Sequence, residues 1–257
     1  MPTTIPEALR PALNSAYPHR PRLLFLLRRR PEASLEAFEQ ALGNWRRRWP
    51  HGVDFGSVVA RAGAQIVKQQ AAMSARFSAG GAEVSAFDGY VSLDLESYAP
   101  TAADFDKLFG LAKGCLDSLR DVVDLAGTIA LAGVVTLVIP GGAPLSMILL
   151  LDRPKTLTLE QYNSWWIHHG DDHRRLNPAQ VGYHQLHIAP EFNAAAAKAA
   201  GVSTTDRCII DVMYLGSLGD AFSKPGDRSA EESRALAADI GAHVSMASVG
   251  ASFFKEL

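Results

Sequence analysis

The chain has 257 residues, of which 47% are hydrophobic and 20% charged, and its formal net charge is −2. These values describe a globular protein with a sizeable core and exclude a disordered chain or a basic nucleic-acid binder. Two cysteines, Cys115 and Cys208, lie in mainly apolar segments and read as buried thiols in a reducing compartment. Met1–Arg22 has no long apolar run, and Gly127, Gly133, Pro140, Gly141, Gly142 and Pro144 interrupt the apolar stretch Leu125–Leu151. Neither a signal peptide nor a membrane span is expected, and the expectation is a cytoplasmic protein.

In chain order, residues 1–21 read as an N-terminal arm, rich in Pro and Arg, before the apolar run Arg22–Leu27, which has the size of a buried strand. Pro31 breaks the chain, Ser34 can cap a helix, and Leu35, Phe38, Leu42 and Trp45 recur at helical spacing. Two clusters, Arg28–Arg30 and Arg46–Arg48, read as solvated faces. Val58–Gln70 suits either a strand or a helix, whereas Phe87–Leu95 reads as a strand. Asp104–Val123 reads as an amphipathic helix and Val134–Ile139 as a strand, and the Pro140–Pro144 turn (PGGAP) follows. Met147–Leu151 is again a short apolar run; Pro154 then breaks the chain, Thr158 can cap, and Leu159, Tyr162 and Trp166 continue at helical spacing. Val181–Ile188 and Ile209–Leu215 read as strands, Ser229–Val244 as a helix capped by Ser229 with Glu232, and Val249–Lys255 as a terminal strand.

These elements form a degenerate repeat. SLEAF at 34–38 lies over TLEQY at 158–162, an offset of 124 residues, and the closing helix–strand units of the two halves also correspond. Each half reads β–α–β–β–α–β, the split βαβ arrangement of ferredoxin-like folds. Such a sheet has one face under helices and one bare. Two halves, 22–140 and 145–257, can bury their bare faces against each other as an α+β barrel.

Chemistry concentrates in Leu157–Phe192, which holds five of the eight histidines. Histidine changes charge near neutral pH and is the commonest acid–base side chain. Strand alternation puts Tyr183, Gln185 and His187 on one face and His184, Leu186 and Ile188 on the other. The apolar pair suits packing under helices, so the polar row is expected to point into the barrel. His169 is expected at a helix end that Gly170 terminates, with Asp171, Asp172 and His173 in the loop beyond, where an Asp could orient an imidazole. His169 and His173 have the spacing of two metal ligands, but the intervening Gly170 and Asp171 weaken a helix and no metalloprotease glutamate is present. One of Trp165 and Trp166 should pack and the other floor the pocket or meet a partner subunit. Tyr214, Asp211 and His243 are secondary candidates. The offset of 124 lays His169 over Trp45, so one active pocket per chain is expected, in the second half.

The stretch LTLEQYNSWWIHHG resembles the first helix of EthD-like members of the dimeric α+β barrel superfamily, where an aromatic residue and a Trp precede a His-Gly pair. GYHQLH is similar to that family's second strand, and ADIGAHVSMASVGASFFKEL to its Asp-containing helix end and final strand. Here Trp165, rather than Trp166, keeps the family's spacing to His169, and Asp171 stands where a Pro is common. The resemblance implies a ferredoxin-like barrel and a superfamily spanning lyases, cyclases, isomerases, cofactor-free monooxygenases and haem proteins, so fold alone does not choose a reaction. The expected function is a lyase-type enzyme without a cofactor or metal, acting on a hydrophobic aromatic or polyketide-like small molecule. Its catalytic residues are expected to be His169, His187, Tyr183 and Asp172. Gln185, Trp165, Trp166, His168, His173 and Tyr214 are expected to contact substrate. The alternative is a haem- or metal-binding protein, or a cofactor-free monooxygenase, using the same pocket. A second copy of the chain is a candidate partner; nucleic acid and membrane are not.

Overall fold

A computed structural model describes residues 4–49, 58–66, 83–84, 87–177, 180–205, 207, 209–217, 229–244 and 250–257. Cys208 lies outside them, and Cys115 is a buried free thiol. Among the described residues nine strands run in the order β1 (His19–Arg29), β2 (Val58–Gln65), β3 (Glu83–Val84), β4 (Gly89–Leu95), β5 (Val123–Ile139), β6 (Leu145–Leu151), β7 (Gly182–Ile188), β8 (Ile209–Leu215) and β9 (Gly250–Glu256). Among the described residues six helices accompany them: the single-turn α1 (Arg10–Leu13), α2 (Leu35–Arg48), α3 (Ala102–Ala112), α4 (Leu159–Leu176), α5 (Pro190–Ala200) and α6 (Ala230–His243).

The strand order is β2-β4-β1-β5-β7-β8-β6-β9, and β9 pairs back onto β2, so eight antiparallel strands close a barrel. The two-residue β3 pairs parallel with β9. Within each half the order is second–third–first–fourth strand, the ferredoxin-like order. The halves join at two seams, β5 on β7 and β9 on β2, each a fourth strand against the other half's second. The expected pair of ferredoxin-like halves forming one α+β barrel is therefore the observed fold.

Two apolar layers follow from strand alternation. Leu24, Leu26, Leu131, Val135, Ile148, Leu186, Ile188 and Val212 form a cluster made only of strand residues, which is the barrel interior. Leu23, Phe25, Leu27, Val91 and Leu93 instead pack with Phe38, Leu42 and Trp45 of α2 and Phe105 and Leu108 of α3, outside the barrel. The N-terminal segments are placed by the same physics. Ser34 caps α2 by accepting from the Ala37 amide at 3.1 Å, and Ser229 with Glu232 forms a capping box on α6.

Three readings change and one left open is settled. Of the segment that suited either strand or helix, Val58–Gln65 is strand β2, and 67–70 lie outside the described residues. The helix expected over 104–123 stops at Ala112, since the chain turns through Gly114 at φ 82° and a short 3-10 turn at Asp117–Leu119. Strand β5 then begins at Val123 and runs 17 residues, because its length serves β1 on one edge and β7 on the other. The second half also carries an unexpected helix, α5, between its second and third strands. Pro190 opens it and Gly201, left-handed at φ 70°, closes it. Its Phe192 lies 4.5 Å from the Phe105 ring and so ties α5 to α3 across the halves.

Candidate active site

Helix α4 begins at a capping box in which Thr158 accepts from the Gln161 amide and Gln161 reciprocates. It does not end at Gly170 as expected, but continues through HHGDDH to Leu176. Gly170 is a packing residue. A Cβ there would lie 3.0 Å from Val138 Cγ2 and 3.2 Å from the Gln185 amide, so the missing side chain lets α4 lie close on the sheet.

The facing of β7 is the reverse of the expectation. Leu186 and Ile188 belong to the barrel interior, and His184 points the same way. Tyr183, Gln185 and His187 lie outside the barrel, beneath α4. The cause is what each face meets. Apolar side chains fill the centre where the sheets converge, while α4 offers polar backbone and an Asn to the other face.

On that outer face His187 is fully buried; its Nδ1 lies 3.2 Å from Asn163 Oδ1 and its Nε2 3.3 Å from Thr136 Oγ1. Asn163 donates to the Ala8 carbonyl at 2.6 Å, which anchors the N-terminal arm on α4. Gln185 donates to the Trp166 carbonyl at 2.8 Å and to the Tyr183 hydroxyl at 3.2 Å. Burial drives the His187 pKa down to about 3, so the ring is neutral. Asp211 sits opposite Gln185 on β8, and burial raises its pKa to about 8, opposed by a hydrogen bond with Tyr183. At neutral pH this carboxyl keeps its proton, and its Oδ1 has no hydrogen-bond partner.

Next along α4, His169 is 5% exposed and stacks on Trp166, with ring centroids 5.0 Å apart and planes within 10°. Its Nδ1 lies 3.6 Å from Asp239 Oδ2 of α6, an ion-pair distance rather than a hydrogen bond. Burial lowers the His169 pKa; Asp239 partly offsets this. Asp239 is itself held by Trp165 Nε1 at 3.0 Å from both oxygens, while His243 Nδ1 bonds the Asp239 backbone carbonyl at 2.9 Å and lies 3.3 Å from Oδ1. His243 stacks on Trp165 at 4.4 Å. Trp166 is buried while its Nε1 has no hydrogen-bond partner. Between α4, α6 and β8 there are thus a neutral imidazole, a protonated carboxyl and an indole N–H, each with an unused polar atom.

The remaining expected residues divide. His173 stacks on Tyr183 at 4.1 Å and lies 2.5 Å from Gln180, so it belongs to the region. His168 and Asp172 are on the exposed face of α4, where Asp172 pairs with Arg175 at 3.0 Å. Tyr214 points into the barrel, its ring edge-on to His184 at 4.9 Å, away from His169. The sequence reading missed Asp239, Asn163 and Thr136. Asp239 had a signal in the Asp-containing end of the penultimate helix, but only the fold brings that end onto α4. Trp45, at the position of His169 in the first half, is 1% exposed and donates to the Cys115 carbonyl at 2.7 Å, an arrangement with nothing titratable.

Among the described residues no group of three or more His, Cys, Asp or Glu could hold a metal ion, and no helix is long and apolar enough to cross a membrane. No protein-family model and no curated protein matches the chain. Several solved structures do. An anthrone oxidase-like protein superposes with a TM-score of 0.55 at 9% identity, covering 95% of this chain and 93% of that one. A candidate monooxygenase of Lactobacillus acidophilus gives 0.49 at 8% identity over 93% of each chain. A chlorite dismutase of Candidatus Nitrospira defluvii gives 0.47 at 10% identity over 96% and 94%. The superposition on the anthrone oxidase-like protein shows a shared fold, and at 9% identity it shows no more than that.

Proposed function

We propose that the second half is an acid–base catalyst of lyase type, acting without a bound cofactor on a hydrophobic aromatic or polyketide-like small molecule. The observations that support it are two buried groups under α4: His169, 3.6 Å from Asp239, and Asp211, opposite the Gln185 that bonds the Trp166 carbonyl; burial lowers the pKa of the first and raises that of the second. Environments that push two titratable groups into complementary proton states mark an acid and a base. In this reading His169 accepts a proton at Nε2 from an acidic C–H of the substrate, and Asp239 steadies the imidazolium through Nδ1. Asp211 and Tyr183 give a proton to a departing hydroxyl, so the elements of water leave and a double bond forms. Trp165 and Trp166 offer ring surface to the substrate. His187 becomes a positioning residue, because both its nitrogens are engaged and its pKa is too low for a base at pH 7. The EthD-like assignment belongs to the same proposal. A second copy of the chain may not be invoked to close the barrel, since both halves come from one polypeptide; a homodimer would add only an outer contact.

A second reading is oxidation of the same carbanion by dioxygen, supported by the name of the anthrone oxidase-like fold neighbour. If haem were bound here, His169, with Asp239 behind its Nδ1, would be the residue to hold it, and the haem would supply redox chemistry. The test uses a panel of aromatic ketones and β-hydroxycarbonyl compounds in D₂O, following deuterium uptake and water loss by mass spectrometry. His169→Ala should lower the rate by about 10²–10⁴-fold. Equal rates in His169→Ala and the wild type would overturn the proposal. Oxygen consumption would select oxidation instead, and an absorbance band at about 400 nm in the purified protein would select haem.

A further inference from the structure

One end of the barrel interior is charged rather than apolar. Near the start of β1 and the ends of β4 and β9, the inward positions hold Arg20, Arg22, Asp94, Arg61, His184 and Glu256, in alternation with the apolar interior cluster. Most of these groups are matched. Arg22 and Asp94, both buried, make two bonds of 2.6 and 2.7 Å. Glu256 accepts from Tyr90 and Ser146, each at 2.5 Å. Arg20 donates to Tyr98 at 2.8 Å and lies 3.8 Å from Glu96.

Two groups are left over. Arg61 lies over the Tyr214 ring, 5.7 Å from its centroid, and its Nε is buried without a hydrogen-bond partner. His184 is 1% exposed, its ring faces the same Tyr214, and neither ring nitrogen makes a hydrogen bond of normal geometry. Burial and the nearby Arg22, Arg61 and Arg20 lower the pKa of that imidazole, and the Gly141 backbone in the turn between the halves partly opposes them. The turn joining the two halves runs past Arg61, and a Cβ on its Gly142 would lie 3.7 Å from the guanidinium. Glu256 lies near Arg61 but is bonded to Tyr90 and Ser146, so the buried Arg61 Nε and the His184 ring lack a hydrogen-bond acceptor of their own, which is costly.

We propose that this end of the barrel binds a small oxyanion, the carboxylate or phosphate of a compact molecule, between Arg61 and His184. The planar guanidinium fork matches either group, and the imidazole supplies one N–H donor. The apolar cluster of Leu24, Val135, Leu186 and Ile148 lies further along the interior, which limits the site to a compact ligand. This position is on the opposite face of β7 from Gln185 and His187, so it stands apart from the acid–base proposal.

The test titrates the whole protein with sodium acetate and with inorganic phosphate at constant ionic strength set with chloride. Thermal unfolding, calorimetry and the imidazole NMR signals of His184 are followed together. Saturable binding by either probe, with movement of the His184 signals, supports the proposal, and the tighter probe names the group. Arg61→Met should weaken binding by roughly tenfold to a hundredfold, the worth of a charge-assisted hydrogen bond. Arg61→Lys, which keeps the charge but loses the fork, should fall between and serves if the Met variant does not fold. No saturable binding by either probe, or unchanged binding in the Arg61 variants, overturns it.

Discussion

Replacing Gly170 with Ala sets two known effects against each other at the point where α4 rests on the sheet. In a free helix the change would stabilise by about 1 kcal/mol, because Ala loses less backbone entropy. Here the new methyl would sit 3.0 Å from Val138 Cγ2 and 3.2 Å from both Gln185 amide atoms. Neither neighbour can give way easily. Val138 is fully buried on a paired strand, and Gln185 is fixed by its bonds to the Trp166 carbonyl and the Tyr183 hydroxyl. Overpacking of this kind costs about 1–3 kcal/mol. The steric cost wins, and the net expectation is a loss of about 1 kcal/mol, or roughly 2–4 °C in Tm for a chain of this size. Urea and thermal unfolding of Gly170→Ala beside the wild type measure it. Stabilisation by about 1 kcal/mol would refute the close packing of α4 on β7 and, with it, the burial assigned to Gln185 and Asp211.

Trp45→Ala should destabilise by about 3–5 kcal/mol, as for any fully buried Trp, with no effect on second-half chemistry; an unfolding curve and a rate measurement together check it. His187→Ala should cost about 1–3 kcal/mol by leaving Asn163 and Thr136 short of a partner, and an unchanged melting temperature would show that the network is dispensable. Stability should also depend on pH. Asp211 keeps its proton up to about 8 in the fold but ionises near its ordinary 3.8 when unfolded, so its contribution falls as pH rises between those values. His187, held down to about 3 from its ordinary 6.5, contributes in the opposite direction between those two values, as do His169 and His184, whose pKa values burial also lowers. Above pH 6.5 only the Asp211 slope remains, amounting to about 2 kcal/mol lost by pH 8. Asp211→Asn should remove that loss, and unfolding measured at pH 6.5 and 8 on both proteins decides it.

The two halves were legible because local signals repeat. Ser34 and Thr158 cap equivalent helices, and the following apolar positions Phe38, Leu42 and Tyr162, Trp166 are all buried. What local pattern could not supply was which face of a strand meets which layer. In β7 both faces are buried, so alternation separates Tyr183, Gln185 and His187 from their neighbours without assigning either set to the barrel. The same limit explains Gly170, whose place inside a helix depends on the strand beneath it. Helix α5 was passed over because its run of alanines carries little amphipathic contrast, although Pro190 and Gly201 bracket it. The second-half candidate site was read from its histidines, with Asp211 only a secondary candidate, and Asp239 entered only when the fold brought α6 against α4. The arginines of the barrel end, scattered at 20, 22 and 61, share no motif and meet only through strand register.

The account rests on His169 and Asp211 being uncharged together near pH 7. The most direct measurement is a heteronuclear NMR titration of the two side chains, the imidazole ring signals of His169 and the carboxyl carbon of Asp211, assigned with His169→Gln and Asp211→Asn. The expected result is a His169 transition below its ordinary 6.5 and an Asp211 transition near 8, leaving a window around neutrality in which base and acid are both ready. An Asp211 carboxyl already ionised at pH 6, or a His169 still protonated at pH 7.5, would contradict it.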